Sequence, residues 1–374
     1  MIIINFTIMK KIILSIVLLS SAVCASAQNC YVDAANPEML RFGDHHSPCR
    51  REIILPSQVG GYNIYKADLH THSVYSDGHV TPSLRVKEAW MDGLDIIAVT
   101  EHIEWRPFEK QVQEYIGKVE GTEPDLNTSV RMAQKEAAQW DIFIVPGAEI
   151  TRNGTTVGHF NALFTQDNNL IYDEDPVQAI RNAKKQNALV LHNHPGWIRT
   201  SIDYTPTEQA AYDEGLIDGV EVMNGHEFYP GIIDRVRERS LFISANTDVH
   251  GVTTVDFNTA EQLRPMTLIF ASERSETALR EALESCRTLA FGHNILCGDE
   301  NLLKDFFKAS VKVTVAPDGG FMLTNMTSIP YVLKREGSNQ FHLSPFSTVR
   351  MGGEPVFTVL NMFCGKETHP VVVL

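Results

Sequence analysis

The sequence predicts an α/β fold in which parallel strand–helix units close, or nearly close, into a barrel followed by a small all-β module. From Ile64 onward, short apolar runs alternate with stretches of helical periodicity, which is the pattern of repeated βα units. The number of these runs suits a barrel. After residue 309 the pattern changes to period-two alternation with a glycine turn, which favours β-structure.

The chain divides into four predicted segments. Residues 1–27 are a predicted signal peptide, because Lys10-Lys11 precede an apolar run and Ala25-Ser26-Ala27 forms a small-residue cleavage site. The apolar run is too short for a membrane span, so we expect no stable membrane anchor. We therefore expect an exported protein, periplasmic or extracellular. Residues 28–65 form a turn-rich lead-in, 66–308 the barrel and 309–374 the β-rich module.

Local signals place the elements in order. Thr81 and Pro82 form an N-cap and a first helical residue, and Gly93 is suited to end that helix. Pro146-Gly147 is expected to stop the third strand. The apolar side of the first helix is assigned to Leu84, Val86, Ala89 and Trp90. Further helices are predicted at 129–140, 177–186, 232–239 and 276–286, and strands at 95–99, 142–145, 159–164, 188–191, 219–223, 241–245, 266–270, 310–315, 331–334, 346–349 and 356–360.

Composition narrows the functional classes. The chain carries 32 Lys and Arg against 46 Asp and Glu, a formal net charge of −14. Such a chain is not suited to coat nucleic acid, since that affinity comes from basic side chains that neutralise phosphates. A substrate with a phosphate group would have to be attracted locally, by bound cations, against the overall field.

The cysteines are compatible with an oxidising compartment. Of the six, Cys24 lies in the predicted signal peptide. Cys30 with Cys49 is the most plausible disulfide, and Cys286 with Cys297 is a weaker possibility. No cysteine belongs to a C-x-x-C motif, so a zinc site built from thiolates is not expected.

His70 and His72 are the first candidate metal ligands. They end an apolar run at i, i+2 spacing, and alternate residues of an extended chain point to the same side. Imidazole is a common ligand for transition metals, and Asp77 adds a carboxylate a few residues later. One H-x-H pair is weak evidence by itself, so a metal site is predicted only if the chain supplies further ligands.

Further candidate ligands are placed at the ends of successive predicted strands. The ends of parallel barrel strands gather at one face, where such barrels carry their chemistry. A single buried histidine is usually structural, but this repeated coincidence favours a metal cluster. His159 is the exception, because it opens its predicted strand. The candidates are Glu101 and His102, Glu149, His159, His192 and His194, Glu221 and Asn224, and Asp248 and His250.

The motifs, taken in order, resemble those of the polymerase and histidinol phosphatase (PHP) family over residues 66–298. They are D-L-H-T-H-S at 68–73, S-D-G at 76–78, T-E-H at 100–102, P-G-A-E at 146–149, G-H-F at 158–160, H-P at 194–195 and T-D-V-H at 247–250. The resemblance implies a distorted, TIM-like, seven-stranded βα barrel with up to three metal ions and phosphoesterase activity. The exported form with a β-rich tail is similar to the secreted phosphodiesterase branch.

The resemblance also implies roles for individual residues. His70, His72, Glu149 and Asp248 would hold a first metal; Glu149 would bridge to a second, shared with His159 and His194; Asp77, His102 and His250 would hold the third. Glu149, Asp248 and His250 are the expected catalytic residues. Glu101 stands where the family usually has Asp, and its expected place is behind His102, with a geometry that the extra methylene changes. The following proline favours His194 over His192, which would lie behind the ligands or in the core.

The expected chemistry is metal-assisted hydrolysis of a small-molecule phosphoester, monoester or diester. Cations bridged by a carboxylate lower the pKa of a water and give a hydroxide that attacks phosphorus. Two or three divalent ions are expected, and mixed imidazole and carboxylate ligands suit Zn, Mn or Fe. Arg106 and Arg152 are candidates for binding the phosphate, and Trp105 and Trp197 for walling the pocket. For these four residues a surface or packing role fits equally well.

Two alternatives stay open, as does the oligomeric state. An amidohydrolase-type C–N hydrolase also begins with H-x-H on its first strand, but a modified lysine usually bridges its metals where this chain has Glu149. A non-catalytic exported binding protein could use metals structurally. Assays with amide substrates test for a C–N hydrolase. A non-catalytic binding protein would show no hydrolysis and would unfold when its metal is removed.

Overall fold

The computed structural model describes residues 30–33, 36–42, 48–115, 125–317 and 319–374. The predicted signal peptide lies outside these residues. The chain forms two compact units that meet between Cys49 and Arg50 in sequence. In the first unit, strand β1 (Cys30–Asp33) pairs antiparallel with β2 (Asn36–Phe42). None of the helices in the described ranges is long and apolar enough to cross a membrane.

The second unit is built on one curled sheet with helices around it. Its strands are β3 (Asn63–Asp68), β4 (Ile96–Val99), β5 (Phe143–Thr151), β6 (His159–Leu163), β7 (Leu189–His192), β8 (Gly219–Asn224), β9 (Glu227–Phe228), β10 (Phe242–Asn246), β11 (Met266–Ala271), β12 (Thr288–Gly292), β13 (Ile295–Gly298) and β20 (Met362–Phe363). Their order is β10-β8-β7-β6-β5-β4-β3-β11-β12-β13-β20, with β9 beside β8.

Most helices lie between these strands. They are α1 (Pro82–Met91), α2 (Glu109–Tyr115), α3 (Thr128–Ala137), α4 (Pro176–Lys185), α5 (Pro206–Asp213), α6 (Gly231–Arg239), α7 (Thr253–Phe257), α8 (Glu276–Glu284) and α9 (Glu300–Ser310). The predicted cap of α1 is confirmed, since the Thr81 hydroxyl accepts a hydrogen bond from Leu84 N at 3.2 Å. Leu84 itself is exposed, contrary to the prediction, while Arg85 is buried.

The strands are not all parallel, contrary to the prediction from alternating strands and helices. β3, β4 and β5 are parallel neighbours, as are β7, β8 and β10. β6, however, is antiparallel to both β5 and β7. The seven residues between β5 and β6 are too few for a crossover helix, so the chain turns straight back. β11 is likewise antiparallel to β3 and β12.

Pro146-Gly147 does not stop β5, contrary to expectation. Pro146 is the last residue of β5 to pair with β4, and from Gly147 onward β5 pairs with β6 instead. A Cβ on Gly147 would lie 2.6 Å from the Ala162 carbonyl oxygen. The dipeptide therefore marks the change of partner, where the two backbones approach closely.

Side chains join the edge strand β10 to the opposite part of the sheet. The Thr267 hydroxyl accepts from Ala245 N at 3.1 Å and donates to Ala245 O at 3.0 Å. The Thr288 hydroxyl makes the same pair of bonds with Ile243, at 3.2 and 2.7 Å. The sheet therefore curls towards a barrel, but the predicted count of seven strands is not confirmed.

The residues after α9 form two further β-sheets. One contains β14 (Val311–Val315), β15 (Phe321–Asn325) and β18 (Thr348–Met351); the other contains β16 (Tyr331–Lys334), β17 (Phe341–Leu343), β19 (Val356–Val359) and β21 (Val371–Val373). Phe321, Tyr331 and Phe357 belong to the same hydrophobic core as Leu94 and Phe270. The boundary at residue 309 stays a prediction, because the core continues across it.

The predicted disulfide between Cys286 and Cys297 is not formed, whereas that between Cys30 and Cys49 involves a side chain outside the described residues and stays a prediction. Cys286, Cys297 and Cys364 are free thiols. Cys297 is fully buried in β13, whereas the Cys286 thiol donates to the Ser240 carbonyl at 3.3 Å. Cys49 is exposed, and the side chain of Cys30 lies outside the described residues.

Candidate metal centre

The structure brings all nine predicted ligands together at one end of the curled sheet. They form four overlapping groups, and the candidate ligand atoms of each group lie within 4.8 Å of one another. The groups are His70, His72 and Glu149; His70, His194 and Asp248; Glu149, His159 and His194; and His72, Asp77, His102 and His250. We call these nine residues the ligand cluster.

The antiparallel direction of β6 explains how His159 joins the cluster. His159 is the first residue of β6 and pairs with Thr151, the last residue of β5. The next residue, Phe160, pairs with His192 at the end of β7. The start of an antiparallel strand lies at the same edge as the ends of its neighbours. His159 is therefore no exception to the pattern.

His70 and His72 lie at the centre of the cluster. Their Nε2 atoms are 3.1 Å apart. Asp248 Oδ1 lies 3.2 Å from the first and 3.0 Å from the second. Glu149 Oε2 lies 3.5 and 3.4 Å from the same two nitrogens. Both imidazoles and the Glu149 carboxylate are fully buried, whereas the Asp248 side chain is 19% exposed.

Glu149 is shared between the groups. Its Oε1 lies 3.1 Å from His159 Nδ1 and 3.7 Å from His194 Nε2. Its Oε2 lies 2.6 Å from His102 Nδ1. Asn193 Nδ2 donates to Oε1 at 2.9 Å and fixes the carboxylate from behind. A carboxylate with each oxygen facing different imidazoles is suited to bridge two cations.

Asp77, His102 and His250 form the outer part of the cluster. Asp77 Oδ1 lies 3.3 Å from His102 Nε2 and 3.1 Å from His250 Nε2. The rings of His102 and His250 each stack on the His72 ring, with centroids 4.3 Å away. The His250 side chain is 36% exposed, more than either of the other two, so this part faces solvent.

Three carboxylate oxygens in the cluster face imidazole nitrogens without forming regular hydrogen bonds to them. Asp77 Oδ1, Glu149 Oε2 and Asp248 Oδ1 are buried, yet none accepts a well-formed hydrogen bond from the described residues. A buried carboxylate oxygen without a partner costs free energy, and cations bound between these acids would remove that cost. The donor set of imidazole nitrogens and carboxylate oxygens is typical of transition-metal sites. The residues therefore fit divalent metal ions.

The electrostatics keep the acids ionised. Burial opposes ionisation, but the neighbouring histidines outweigh it and hold the pKa values of Asp77, Glu149 and Asp248 below their usual range. Burial likewise opposes the charge on His102, whose pKa Glu149 and Asp77 nevertheless raise to about 10. Burial and the charges of His102 and His250 lower the pKa of His72 to about 3. Binding of a cation would displace protons that the histidines hold.

Two of the candidate ligands have rare backbone conformations. His194 has φ of 24° and Asp248 has φ of 52°, both in the left-handed region that L-residues seldom adopt. Asp248 N donates to His70 O at 3.0 Å, which ties the two ligand segments together. Backbone strain of this kind is often found at functional sites.

Glu221 lies behind the cluster and orients His70. Its Oε1 is 2.9 Å from His70 Nδ1 and accepts from Asn246 Nδ2 at the same distance. Its Oε2 accepts from Asn224 Nδ2 at 2.9 Å and from His194 N at 2.8 Å. A carboxylate on Nδ1 leaves Nε2 free to face a metal. Both sequence candidates on β8, Glu221 and Asn224, therefore support ligands.

Glu101 does not orient His102, contrary to expectation. Its carboxylate accepts from Ser73 N at 3.0 Å and from the Ser76 hydroxyl at 2.6 Å. Ser76 Oγ in turn lies 3.3 Å from His72 Nδ1. The longer Glu side chain thus reaches the turn after β3 and supports His72 through a serine. His102 Nδ1 instead contacts the Thr151 hydroxyl at 2.5 Å.

Arg85 is a supporting residue that the sequence reasoning missed. Its guanidinium is 2% exposed and donates to His72 O at 3.0 Å and to Gly251 O at 2.9 Å. It also pairs with Glu88 at 2.8 Å. The only signal in the sequence is a charged residue between apolar positions of α1, which normally indicates a solvent-facing side chain.

His192 lies in the core and outside the ligand cluster. Its Nε2 is 2.9 Å from Glu208 Oε1, and its Nδ1 is 2.9 Å from the Tyr212 hydroxyl. Arg199 pairs with the same carboxylate at 2.7 Å. Both ring nitrogens of His192 are therefore satisfied by protein groups.

The two candidate phosphate-binding arginines are engaged elsewhere. Arg106 Nε donates to Tyr75 O at 3.3 Å, and its guanidinium pairs with Glu109 at 3.2 Å. Arg152 pairs with Glu104 and donates to the Asp173 carbonyl. Neither guanidinium is free to bind phosphate bidentately without breaking these contacts.

The two tryptophans differ in their relation to the cluster. Trp197 packs its ring against His159 and His194, with centroids 5.4 and 5.3 Å away. It is 40% exposed, so it covers one side of the cluster as expected of a wall. Trp105 is 57% exposed.

Comparison with known proteins identifies the family. No family model and no curated protein matches this chain. Among solved structures, a two-domain protein from Bacteroides vulgatus ATCC 8482 that contains a predicted PHP-like metal-dependent phosphoesterase is 34% identical with a TM-score of 0.78. The match covers 87% of this chain and 98% of that one.

More distant solved structures also resemble the chain. PsfC from Pseudomonas syringae PB-5123 is 16% identical over 62% of this chain and 92% of its own, with a TM-score of 0.42. Histidinol phosphate phosphatase from Lactococcus lactis is 18% identical over 58% and 94%, with a TM-score of 0.25. The Bacteroides protein is 34% identical over 87% of this chain and 98% of its own. The chain therefore belongs to the family of PHP-like metal-dependent phosphoesterases.

Proposed function

We propose that the protein hydrolyses small-molecule phosphoesters with two or three divalent cations held by the ligand cluster. The observation that carries the proposal is the convergence of nine residues from seven parts of the chain, with three buried carboxylate oxygens that face imidazole nitrogens but accept no regular hydrogen bond from the described residues. A purely structural cluster of histidines and acids has no need to leave those oxygens without regular hydrogen bonds.

Three proposed ligand sets draw on the four groups. His70, His72, Glu149 and Asp248 hold the first cation, and Glu149, His159 and His194 hold the second. Asp77, His102 and His250 hold the third. The close approach of His194 to Asp248, 3.8 Å between Nε2 and Oδ2, supports a first and second site that adjoin each other. Zn, Mn or Fe suits this mixture of ligands.

The protein residues have three tasks in this proposal. Glu149 and Asp248 are ionised and would hold the cations, and Glu221 and Ser76 keep the His70 and His72 rings in orientation. Cations bound there would supply a hydroxide near neutral pH and neutralise charge on the phosphoryl group. His250, the partly exposed ligand, marks the side from which a substrate reaches the cluster.

The charge distribution supports binding of the phosphate by the cations themselves. The chain has a net charge of −14, so its overall field repels anions. Arg106 and Arg152 already pair with Glu109 and Glu104. A small phosphoester fits these conditions better than a polyanion such as nucleic acid, which needs an extended basic surface.

We infer from the N-terminal sequence that the protein is exported. Residues 1–27 carry the features of a signal peptide. Fractionation of cells that express the full chain tests this inference separately, since recovery in the cytoplasm with the N-terminus retained would contradict it.

Metal analysis and then a substrate screen test the proposed function. The purified protein is expected to contain two or three equivalents of Zn, Mn or Fe, and to hydrolyse aryl phosphate monoesters or diesters when loaded with one of them. Amide substrates are assayed in parallel, and faster amide turnover would overturn the proposal. Absence of phosphoester hydrolysis with every metal, in protein shown to be folded and loaded, would overturn it as well.

A further inference from the structure

An apolar pocket is lined in part by Gly78 and His79, the two residues that follow Asp77 of the ligand cluster. It has a volume of about 410 Å³ and is bordered by the turn after β3 and by the start of α2. Its lining includes Val74, Gly78, His79, Phe108, Gln111 and Val112. This volume falls in the range of pockets that hold small ligands.

Hydrogen bonds attach the pocket wall to the ligand segments. His79, two residues after Asp77, donates its backbone N–H to the His250 carbonyl at 2.7 Å. Gly78 N donates to Ser73 O at 2.9 Å, and a Cβ on Gly78 would lie 2.7 Å from Ser73 N. The wall is therefore continuous with the outer part of the cluster, the part that faces solvent.

Arg106 holds the opposite wall in place. Its Nε donates to Tyr75 O in the turn after β3, and its guanidinium pairs with Glu109 in the first turn of α2. Phe108 lies between these two anchored residues, and its ring packs against the His79 ring with centroids 5.9 Å apart. The residue predicted to clamp phosphate thus supports the apolar pocket.

The chemistry of the lining favours a hydrocarbon group over a phosphate, although His79 and Gln111 are polar. Among the described residues that line the pocket, none is Asp, Glu, Lys or Arg. Thr81 also borders it, but its hydroxyl already caps α1. Val74, Phe108 and Val112 supply apolar surface, which gains free energy when it is removed from water.

We propose that this pocket binds the uncharged organic group of the substrate while the adjoining cluster receives the phosphoryl group, so that the preferred substrates are phosphoesters of apolar alcohols. The proposal rests on the proposed function and adds the substrate class to it. Residues Phe108 and Val112 are the specificity-determining side chains, because both contribute apolar surface and neither belongs to the ligand cluster.

A homologous series of alkyl phosphates tests the pocket. Methyl, butyl and hexyl esters, as monoesters and as methyl diesters, keep the pKa of the leaving-group alcohol nearly constant while the apolar area grows. The expected kcat/KM rises by about fourfold for each methylene that enters the pocket. The variants Phe108→Ser and Val112→Asn are expected to lose most of that rise while methyl-ester hydrolysis stays within about threefold of the unsubstituted protein.

A binding measurement separates affinity from turnover. Titration calorimetry of the metal-loaded protein with methyl- and hexylphosphonate, which are not hydrolysed, is expected to show tighter binding of hexylphosphonate and loss of that preference in both variants. Val315→Asn, on β14 at an 87% exposed position, is the control and is expected to leave the preference intact.

The outcomes distinguish the two proposals. Hydrolysis of all esters at the same rate, with equal affinity for both phosphonates, would overturn the pocket proposal and leave the phosphoesterase proposal standing. Loss of hydrolysis of every ester by the loaded protein would overturn the proposed function instead. An alkyl preference that survives in Phe108→Ser and Val112→Asn would place the apolar group elsewhere and would also contradict the assignment.

Discussion

Two His-x-His segments in this protein have the same sequence pattern but different structures. In residues 70–72, both imidazoles face the ligand cluster, with their Nε2 atoms 3.1 Å apart. In residues 192–194, only His194 faces the cluster, while His192 is bound by Glu208 and Tyr212. Equal spacing therefore does not give equal roles.

The backbone explains the difference. After β3 the chain stays extended, and Thr71 pairs in parallel with Val249, so His70 and His72 remain on one side. β7 ends at His192, and His194 has φ of 24°, which turns the chain and breaks the alternation. A candidate ligand is better recognised by a ring nitrogen that protein groups leave free than by spacing alone.

The same substitution at each of the four histidines tests this comparison most strongly. His70→Gln, His72→Gln and His194→Gln are each expected to lower kcat/KM by about a thousandfold or more, because a missing ligand removes the charge stabilisation at phosphorus. His192→Gln is expected to keep activity per folded molecule within about threefold, since it contacts no ligand-cluster group.

Circular dichroism and metal analysis accompany these assays. The three ligand variants are expected to be folded and to contain less metal, and His192→Gln to contain as much as the unsubstituted protein. A His192→Gln protein that is folded but inactive would show that the core histidine takes part in the chemistry.

Thermal unfolding reports metal binding independently of catalytic activity. Metal that binds only the folded state stabilises it by about 2.7 kcal/mol at a concentration a hundred times Kd. We expect the Tm of the chelated protein to rise when Zn or Mn is added back, and this rise to shrink in Asp77→Asn and His194→Gln. It is expected to be unchanged in His192→Gln. An equal rise in all four proteins would mean that the metal binds elsewhere.

Much of the fold could be predicted from local sequence signals. The N-cap at Thr81 and the strand 331–334 were predicted at the right positions, because caps and alternating patterns depend on neighbours in sequence. The direction of β6 could not be predicted in this way. The direction of a strand depends on the length of the loop that precedes it and on which strand it can pair with. The periodic pattern of its residues gives neither of these.

The ligand cluster was predictable because strand ends gather in space. The supporting residues were less so. Arg85 looks like a surface residue of α1, and the contact of Glu101 with Ser73 and Ser76 depends on one methylene group more than Asp would supply. Arg106 was predicted to bind phosphate because it follows a ligand motif, but its partner Tyr75 O belongs to the backbone and leaves no trace in the sequence.

Substitution of Ser76 and Glu101, which orient His72, is expected to have a smaller effect. Ser76→Ala removes the group between His72 Nδ1 and Glu101, and Glu101→Gln removes the charge behind it. Loss of such a support typically lowers metal affinity or activity about 10- to 100-fold. We expect that range for both variants, measured by competition with a metal-binding dye.

Glu101→Asp serves as the matched control for that support. The shorter side chain keeps the negative charge but withdraws it from Ser76 by one methylene, so we expect a weaker effect than that of Glu101→Gln. If Ser76→Ala and Glu101→Gln bind metal as tightly as the unsubstituted protein, the orientation of His72 is set by packing between His102 and His250 alone.

The smallest expected effect concerns the buried partner of His192. Burial opposes ionisation of Glu208, but His192 and Arg199 outweigh it and lower its pKa to about 2 in the folded protein. The ordinary pKa of this carboxyl group is higher, so its ionised form stabilises the folded state above about pH 5, and that contribution is lost as the pH falls towards 2. Glu208→Gln is therefore expected to lower the free energy of unfolding at pH 7 and to flatten its decline over that pH range.

The control for this measurement is Glu214→Gln, the same substitution at an exposed ion pair with Arg181. Exposed pairs contribute little to stability, so we expect its pH dependence to match that of the unsubstituted protein. Urea unfolding at several pH values, carried out in chelator so that metal release does not contribute, measures all three proteins. If the free energy of unfolding varies with pH in parallel in all three proteins, the pair of His192 and Glu208 makes no charge-dependent contribution to stability. His192 and His194 would then differ in geometry alone.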